Sequence, residues 1–206
     1  DTPVTTVTDP VRWGILGTGW IAGQFAQGLA QLSEAELVAV GSRTPELAQR
    51  FGAQHDVPHR HGSYRALAED AGVDVIYVAT PNPWHREHTL LCLDSGKPVL
   101  CEKPFALNAG QAAEMIRAAR EKELFLMEAM WTRFFPLMGK VRALVSEGAI
   151  GEVQMLVADL CIQFDFDPSD RRYALELGGG ALLDLGVYPL SFASMIMGSP
   201  SKIEAL

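Results

Sequence analysis

Short apolar runs alternate along the chain with longer stretches in which apolar residues recur every three or four positions. Between residues 11 and 128 the short runs predict strands and the longer stretches predict amphipathic helices. Strands are predicted near residues 12–17, 36–41, 74–79, 98–101 and 124–127. Helices are predicted near residues 20–32, 45–53, 63–70, 84–95 and 109–122. This order is typical of βαβ units and indicates an α/β fold with a Rossmann-type, doubly wound parallel sheet.

The pattern changes after residue 128, where a long alternation of apolar and polar residues is typical of a strand with one exposed face. The predicted elements of this part are a helix near 134–146, a strand over 152–163, a helix near 181–197 and the start of a strand at 201–206. After the first of these helices, one strand and one helix are too few for an independent second domain. At the other end, four threonines and two prolines predict a flexible arm over residues 1–10.

Charge and cysteine content argue against several classes of protein. The formal net charge of -8 is opposite to that of a non-specific nucleic-acid surface, which needs clustered Lys and Arg. A secretory signal pattern and a continuous apolar run of about 18 residues are both missing, so no membrane segment is predicted. Cys92, Cys101 and Cys161 are odd in number and widely spaced. They fit neither a disulfide framework nor a zinc site and predict a cytoplasmic protein.

A glycine-rich turn follows the first predicted strand and opens the first predicted helix. Residues 17–22 read Gly-Thr-Gly-Trp-Ile-Ala and match the G-x-G-x-x-G/A pattern of dinucleotide-binding folds in its required context. The first glycine permits the tight turn, the second allows backbone to approach a pyrophosphate, and the helix N-terminus donates amides to the anion. The candidate cofactor contacts of this turn are Gly17, Thr18, Gly19, Trp20 and Ile21.

The end of the second predicted strand indicates which nicotinamide cofactor is bound. An acidic residue there accepts hydrogen bonds from the adenosine ribose of NAD, but this chain has Ser42 and Arg43. A hydroxyl and a guanidinium can bind the 2′-phosphate of NADP(H), so NADP is predicted over NAD. The alternative is that Arg43 is a solvated loop charge.

Further candidates follow the third strand predicted along the chain, at the sheet edge where open α/β sheets bind ligands. They are Thr80, Pro81, Asn82 and His85. Histidines also recur at residues 85 and 88 and at residues 55, 59 and 61, but neither group has the cysteine or carboxylate spacing of a metal site. No metal site is therefore predicted.

Three separated motifs carry a family resemblance that covers almost all of residues 11–200. The segment 98–108 reads Pro-Val-Leu-Cys-Glu-Lys-Pro-Phe-Ala-Leu-Asn, residues 125–136 contain Glu-Ala-Met-Trp-Thr-Arg, and residues 178–189 contain Gly-Gly-Gly with an Asp-x-x-x-Tyr helix. The chain resembles the glucose-fructose oxidoreductase and inositol dehydrogenase (Gfo/Idh/MocA) family. Within it, these motifs are similar to those of the branch of dimeric dihydrodiol dehydrogenases and NADP-dependent D-xylose dehydrogenases.

The resemblance implies an enzyme that transfers a hydride between NADP and a secondary alcohol or carbonyl of a sugar, cyclic polyol or dihydrodiol. It implies that Lys103 polarises the substrate oxygen, that Tyr188 is the base, and that Asp184 completes the site. Asp184 and Tyr188 are four residues apart and therefore share a helix face. Many relatives carry His in place of this Tyr, and the family's Lys-Pro bond, here Lys103–Pro104, is often cis.

Weaker assignments concern the surroundings of these residues. Glu102 and Trp131 resemble cofactor-facing residues, although core packing is an equal alternative for Trp131. Candidate substrate contacts are Arg133, Phe164, Arg172 and Tyr173. Two alternative functions remain: a non-catalytic NADP-binding sensor or scaffold, and a NAD-dependent inositol-type dehydrogenase.

Relatives have a large, mostly antiparallel sheet after the Rossmann domain. We therefore interpret residues 11–128 as the Rossmann domain and residues 129–206 as the start of a truncated α+β domain for substrate binding and dimerisation. Without the rest of that sheet, the apolar residues Val153, Met155 and Val157 are expected to be exposed. The full-length chain is expected to form a homodimer or larger oligomer.

Overall fold

A computed structural model describes residues 9–205 of the chain. Most of the predicted N-terminal arm, residues 1–8, therefore lies outside the described residues, as does Leu206. Contacts within the chain divide it into two compact units, Asp1–Glu128 and Ala129–Leu206.

The first unit is built on a six-stranded sheet whose neighbouring strands all pair in parallel. Its strands are β1 (Val11–Leu16), β2 (Ala35–Gly41), β3 (His59–His61), β4 (Val75–Val78), β5 (Val99–Cys101) and β6 (Leu126–Glu128). Their order in the sheet is β3-β2-β1-β4-β5-β6, so the winding direction reverses between β1 and β4. This arrangement confirms the predicted Rossmann-type sheet, and such a reversal opens a crevice at the carboxyl ends of the strands.

Helices connect these strands, and three of the five begin after a capping side chain. They are α1 (Trp20–Leu29), α2 (Pro45–Gln54), α3 (Tyr64–Ala68), α4 (His85–Asp94) and α5 (Ala109–Glu121). The side chains of Thr44, Ser63 and Asn108 accept hydrogen bonds from the third residue of α2, α3 and α5, respectively. Such bonds satisfy amides that a helix N-terminus otherwise leaves unpaired.

The core of the first unit lies between the sheet and its helices. Residues 75–78 of β4 are buried throughout, as expected for a central strand covered on both faces. Cys92 and Cys101 are free thiols within this core. Burial raises the pKa of Cys92 and raises that of Cys101 to about 12, so both stay protonated at neutral pH.

The second unit contains helices but, among its described residues, no strands. A 3-10 turn (Trp131–Phe134) precedes α6 (Pro136–Ser146). A second 3-10 turn (Leu175–Leu177) is followed by a π-helical turn (Leu182–Gly186) that runs into α7 (Val187–Met197). The predicted helix over 181–197 is therefore present, with a π turn at its start.

The predicted strand over residues 152–163 is wrong for this structure, because these residues have no regular secondary structure. Residues 201–205 of the other predicted strand also have none. A strand is stable only when a neighbour pairs with its backbone, and no described segment of the second unit pairs with either stretch. As expected, Met155 and Val157 are exposed, at 78% and 77%, whereas Val153 is only partly exposed.

One helical stretch among the described residues, Leu175–Met197, is long and apolar enough to cross a membrane by length and composition alone. Its mean hydropathy is 1.4, but it includes Asp184, and Gly178 and Gly180 adopt positive φ values near its start. Length and composition of this kind are weak evidence for a membrane span. The expected absence of a membrane segment stays a prediction.

Candidate functional site

The glycine-rich turn has a backbone that only glycine adopts easily. Gly17 has a φ of +113°, and a Cβ added there would lie 2.9 Å from the carbonyl oxygen of Ala79. The amide of Gly17 donates to the carbonyl of Gly41 over 2.9 Å. Gly17 therefore brings the ends of β1, β2 and β4 together, as the sequence motif requires.

The start of α1 presents backbone amides to solvent. Gly19 is the N-cap residue, and a Cβ at Gly19 would meet no other atom within 4 Å. The Trp20 side chain is 77% exposed, and Ile21 is partly exposed. Unpaired amides and open space at a helix N-terminus fit the pyrophosphate of a dinucleotide.

Ser42 and Arg43 follow β2 at the same edge of the sheet. Ser42 is buried, and its Oγ lies 3.3 Å from the Oγ1 of Thr18 in the glycine-rich turn. The amide of Ser42 donates to the carbonyl of His61 over 3.1 Å. The Arg43 side chain is exposed. The fold therefore fixes Ser42 beside the turn and leaves the neighbouring guanidinium accessible to an anionic ligand.

His85, at the start of α4, connects two loops at the carboxyl edge. Its ring is buried, with Nε2 2.7 Å from the carbonyl oxygen of Thr80 and Nδ1 2.8 Å from that of Pro104. Burial lowers the pKa of His85, although both carbonyls favour a protonated ring. One ring nitrogen of His85 faces a carbonyl of the loop after β4, and the other faces a carbonyl of the loop after β5. His85 therefore joins the two loops.

The other residues of the loop after β4 are also held from within the protein. Thr80 and Asn82 are buried, whereas Pro81 is exposed. The Thr80 Oγ1 lies 2.9 Å from Nδ1 of His88, whose pKa burial lowers to about 4. The 3-10 turn Asn82–Trp84 then leads into α4. Neutral His88 at pH 7 therefore supports Thr80 by a hydrogen bond between uncharged groups.

Lys103 follows β5, and the Lys103–Pro104 peptide bond is cis, as the family pattern implies. The amide of Lys103 donates to Oε2 of Glu102 over 3.0 Å, and the hydroxyl of Tyr77 donates to Oε1 of the same carboxylate. Burial raises the pKa of Glu102, and these two hydrogen bonds oppose the rise. Glu102 is thus buried between strand and loop, where it fixes the backbone that carries Lys103.

The first unit therefore gathers four of the predicted site segments. Gly17, Ser42, Thr80 and Lys103 follow β1, β2, β4 and β5, and parallel strands end at a common edge. Glu128, at the end of β6, accepts a hydrogen bond from the amide of Phe105 over 2.9 Å. Sequence reasoning missed Glu128, because its role depends on the pairing of β5 with β6.

In the second unit, Trp131 and Tyr188 form a hydrogen-bonded pair. The indole Nε1 donates to the Tyr188 hydroxyl over 3.1 Å, and the two rings meet edge to face with centroids 6.2 Å apart. Arg133 contacts Ser191 of α7. Its Nε donates to the Ser191 Oγ over 2.7 Å, and its Nη2 donates to the Ser191 carbonyl oxygen over 2.9 Å. The Trp-Thr-Arg segment thus orients Tyr188 and fixes the helix that carries it.

Asp184 lies in the π-helical turn that precedes α7, and its side chain is mostly buried. The Nη1 of Arg171 lies 3.4 Å from Oδ1 of Asp184. Turns of this kind occur often at functional sites, because they redirect side chains within a helix. Arg171 has no motif in the sequence, and only the fold shows its proximity to Asp184.

Three of the four candidate substrate contacts lie together in the second unit. The guanidinium carbon of Arg172 lies 4.1 Å from the centroid of the Phe164 ring, and Tyr173 donates to the Phe164 carbonyl over 3.4 Å. Arg172 also holds both carboxylate oxygens of Asp170, each over 2.7 Å, which lowers the pKa of Asp170. Arg133 belongs to a different cluster, because it contacts Ser191.

Known proteins are similar to this chain in both fold and sequence. Trans-1,2-dihydrobenzene-1,2-diol dehydrogenase of Xenopus tropicalis is 44% identical over 198 residues, which are 94% of this chain and 59% of that protein. A 3-ketoreductase from Actinomadura kijaniata, solved in complex with NADP and TDP-benzene, is 33% identical and superposes with a TM-score of 0.77. The aldose-aldose oxidoreductase of Caulobacter crescentus, complexed with glycerol, is 32% identical with a TM-score of 0.80. Each superposition covers 92% of this chain and 58% of the other.

Family models match both units. Residues 11–130 match the model of an oxidoreductase family with an NAD-binding Rossmann fold, and residues 138–206 match the C-terminal domain of the same family. The chain spans 59% of the length of the dihydrodiol dehydrogenases of Xenopus tropicalis and Xenopus laevis. The family match accords with the Rossmann-type sheet and the glycine-rich turn of the first unit. The chain belongs to the GFO/IDH/MocA oxidoreductase family.

Proposed function

We propose that this protein is an NADP-dependent oxidoreductase that transfers a hydride between the nicotinamide and a secondary alcohol or carbonyl. The observation that carries this proposal is the meeting of Gly17, Ser42, Thr80 and Lys103 at the carboxyl edge of a Rossmann sheet. Relatives that bind NADP or act on dihydrodiols and aldoses support a sugar, cyclic polyol or trans-dihydrodiol as substrate. The free cysteines support a cytoplasmic location.

The first unit binds and orients the cofactor in this proposal. The α1 amides bind the pyrophosphate, while Ser42 and Arg43 bind the 2′-phosphate. Thr80, Pro81 and Asn82 flank the nicotinamide side. When bound, the nicotinamide supplies the hydride acceptor at its C4. His85 and Glu102 act as positioning residues, since each holds the Lys103 loop from inside the protein.

The family pattern assigns Lys103, Asp184 and Tyr188 to one reaction. In the oxidation direction, the substrate carbon loses a hydride, while the phenolate of Tyr188 takes the hydroxyl proton. The ammonium of Lys103 stabilises the charge that develops on the substrate oxygen. Trp131 donates to the Tyr188 oxygen, so its N–H stabilises the phenolate form. Reduction runs through the same steps in reverse.

Cofactor preference tests the nucleotide part of the proposal. We expect the chain to bind NADPH more tightly than NADH. We also expect Arg43→Ala to weaken NADPH binding by about 10- to 100-fold, because one charge-assisted hydrogen bond is worth about 1.5–3 kcal/mol. NADH binding should change little. Quenching of tryptophan fluorescence on titration with each cofactor measures both affinities.

The matched control for this titration is Arg50→Ala, which removes another exposed guanidinium, on α2. It should leave both affinities unchanged. A preference for NADPH that survives Arg43→Ala would show that Arg43 is not the phosphate ligand. Tighter binding of NADH by the unaltered chain would favour a NAD-dependent enzyme, and no binding of either cofactor would contradict the proposal.

The role of His85 is testable by chemical rescue. We expect His85→Ala to lower kcat about 100-fold, because a displacement of about 1 Å in a catalytic group has an effect of this size. NADPH affinity should change much less, since the glycine-rich turn is intact. Added imidazole should recover part of the lost kcat by filling the cavity between the Thr80 and Pro104 carbonyls. Steady-state kinetics with and without imidazole measure the effect.

The control is His55→Ala, which removes a ring that packs against Phe51 of α2. Imidazole should not change its kcat. If His85→Ala loses NADPH binding and kcat together and does not respond to imidazole, then His85 contributes to general stability only.

A further inference from the structure

A cluster of three metal-ligating side chains lies at the edge of the sheet, in the first unit. His59 Nδ1 and His61 Nε2 each lie 2.8 Å from the same oxygen, Oδ2 of Asp70. All three ligand atoms are within 4.8 Å of one another. The cluster is separate from the cofactor turn and from the residues proposed for catalysis.

Local structure fixes the direction of each side chain. His59 and His61 are two residues apart on β3, so they point to the same face of the strand. Arg60 points away, and its Nε donates to the carbonyl of Val57 over 2.8 Å. Asp70 follows α3, and its Oδ1 accepts from the amide of Gly72 over 2.7 Å. The three ligands are therefore held by a strand and a tight turn.

The Lys97 ammonium does not occupy the Asp70 carboxylate. Lys97 Nζ donates to the backbone carbonyls of Asp70 and Val73, each over 2.7 Å, and not to the Asp70 side chain. The His59 side chain is 50% exposed, so a solvent molecule can reach the cluster from that side. The cluster thus offers two imidazoles, one carboxylate and one open position.

We propose that His59, His61 and Asp70 form a binding site for one divalent transition-metal ion, for which Zn²⁺ is the fitting probe. Zinc binds His nitrogen at about 2.0–2.1 Å and carboxylate oxygen at about 2.0–2.2 Å, which places tetrahedral ligand atoms about 3.3 Å apart. The nitrogen–oxygen distances need to widen by only about 0.5 Å from their present length. Two imidazoles favour Zn²⁺ over Mg²⁺ or Ca²⁺, which prefer oxygen ligands.

Binding replaces two hydrogen bonds by three coordinate bonds. Each imidazole now donates an N–H to Asp70, so the metal-bound form needs the other tautomer, with its proton on the second ring nitrogen. A solvent molecule completes the coordination. The ion would link the edge strand β3, which pairs with β2, to the turn before β4. The His61 carbonyl accepts a hydrogen bond from the Ser42 amide, so the bound ion would also stabilise the strand that supports Ser42.

The test is a zinc titration of the full chain in a Cys161→Ser background, which removes the exposed thiol as a competing ligand. We expect one Zn²⁺ per chain by calorimetry. We also expect a rise of about 5–10 °C in the unfolding midpoint at a free zinc concentration 100 times the dissociation constant. His59→Ala and His61→Ala should each weaken binding at least about 10-fold. His55→Ala is the matched control and should bind as tightly as the parent.

A second measurement does not depend on any variant. Co²⁺ in place of Zn²⁺ should give the visible absorption of a low-symmetry site with nitrogen and oxygen ligands. The proposal would be overturned if zinc bound with a dissociation constant above about 1 mM. Equal zinc affinity of the parent, His59→Ala and His61→Ala would also overturn it, as would a cobalt spectrum identical to that of the aqueous ion. None of these readouts requires turnover, so they are independent of the proposed oxidoreductase activity.

Discussion

Lys103→Ala is expected to lower kcat by about 1,000-fold or more and to leave NADPH binding within about 10-fold of the unaltered chain. The substitution removes the ammonium that we propose stabilises developing charge on the substrate oxygen, and groups of this kind contribute about 10²- to 10⁴-fold to a rate. The Lys103 amide, held by Glu102, is kept, so the loop retains its anchor. Single-turnover reduction of NADP with a sugar or dihydrodiol, together with a fluorescence titration, separates chemistry from binding.

Lys122→Ala is the matched control, because it removes a lysine that contributes only an exposed ion pair with Asp94. Such pairs contribute little to stability, and its kcat should be unchanged. Turnover by Lys103→Ala at the level of Lys122→Ala would contradict the catalytic assignment. NADPH binding without turnover in the unaltered chain would instead favour a sensor or scaffold.

The sequence predicts the Rossmann unit well, because its strands are short apolar runs separated by clear capping and turn residues. It misses β3, whose His-Arg-His sequence has no apolar pattern. This strand forms because the edge of β2 offers an unpaired ladder, with Gly41 paired to His61. Pairing of three residues at a sheet edge depends on the tertiary fold, so the local pattern of apolar residues does not predict it.

The predicted strand over 152–163 shows the opposite error. Its alternating pattern includes Met155 and Val157 and is typical of a strand, yet the segment is unpaired. An alternating pattern indicates which face of a strand would be apolar. The strand itself forms only when a neighbouring segment pairs with its backbone by hydrogen bonds. The sequence pattern alone does not say whether such a neighbour is present.

Site residues are predicted best where the backbone geometry of the site permits only one residue type. Gly17 follows from the tight turn at the end of β1, and its positive φ confirms that reasoning. Side-chain direction is harder to predict. His85 and Glu102 lie in site motifs, but their polar atoms contact Thr80, Pro104 and Tyr77 inside the protein. Asp70 joins two histidines that precede it by 11 and 9 residues, a proximity that only the fold creates.

Tyr188→Phe is expected to lower kcat by about 10²- to 10⁴-fold, because it removes only the phenolic oxygen that we propose as the acceptor of the substrate proton. The ring stays edge to face with Trp131, so α7 and NADPH affinity should be unaffected. Steady-state kinetics over a range of pH, with far-ultraviolet circular dichroism to verify folding, measure the effect. Tyr64→Phe removes a hydroxyl in the first unit and serves as the control. A kcat for Tyr188→Phe equal to that of Tyr64→Phe would exclude Tyr188 as the base.

The double variant decides whether Lys103 and Tyr188 serve one reaction. If they act on the same substrate oxygen, then Lys103→Ala with Tyr188→Phe should be little slower than the slower single variant, because groups that act as a unit are not additive. Independent roles predict that the two losses multiply. Strong coupling would show that Lys103 and Tyr188 take part in the same step of the reaction. Multiplying losses would leave the nucleotide-binding assignment intact and would show that Lys103 and Tyr188 do not act as a unit on one substrate oxygen.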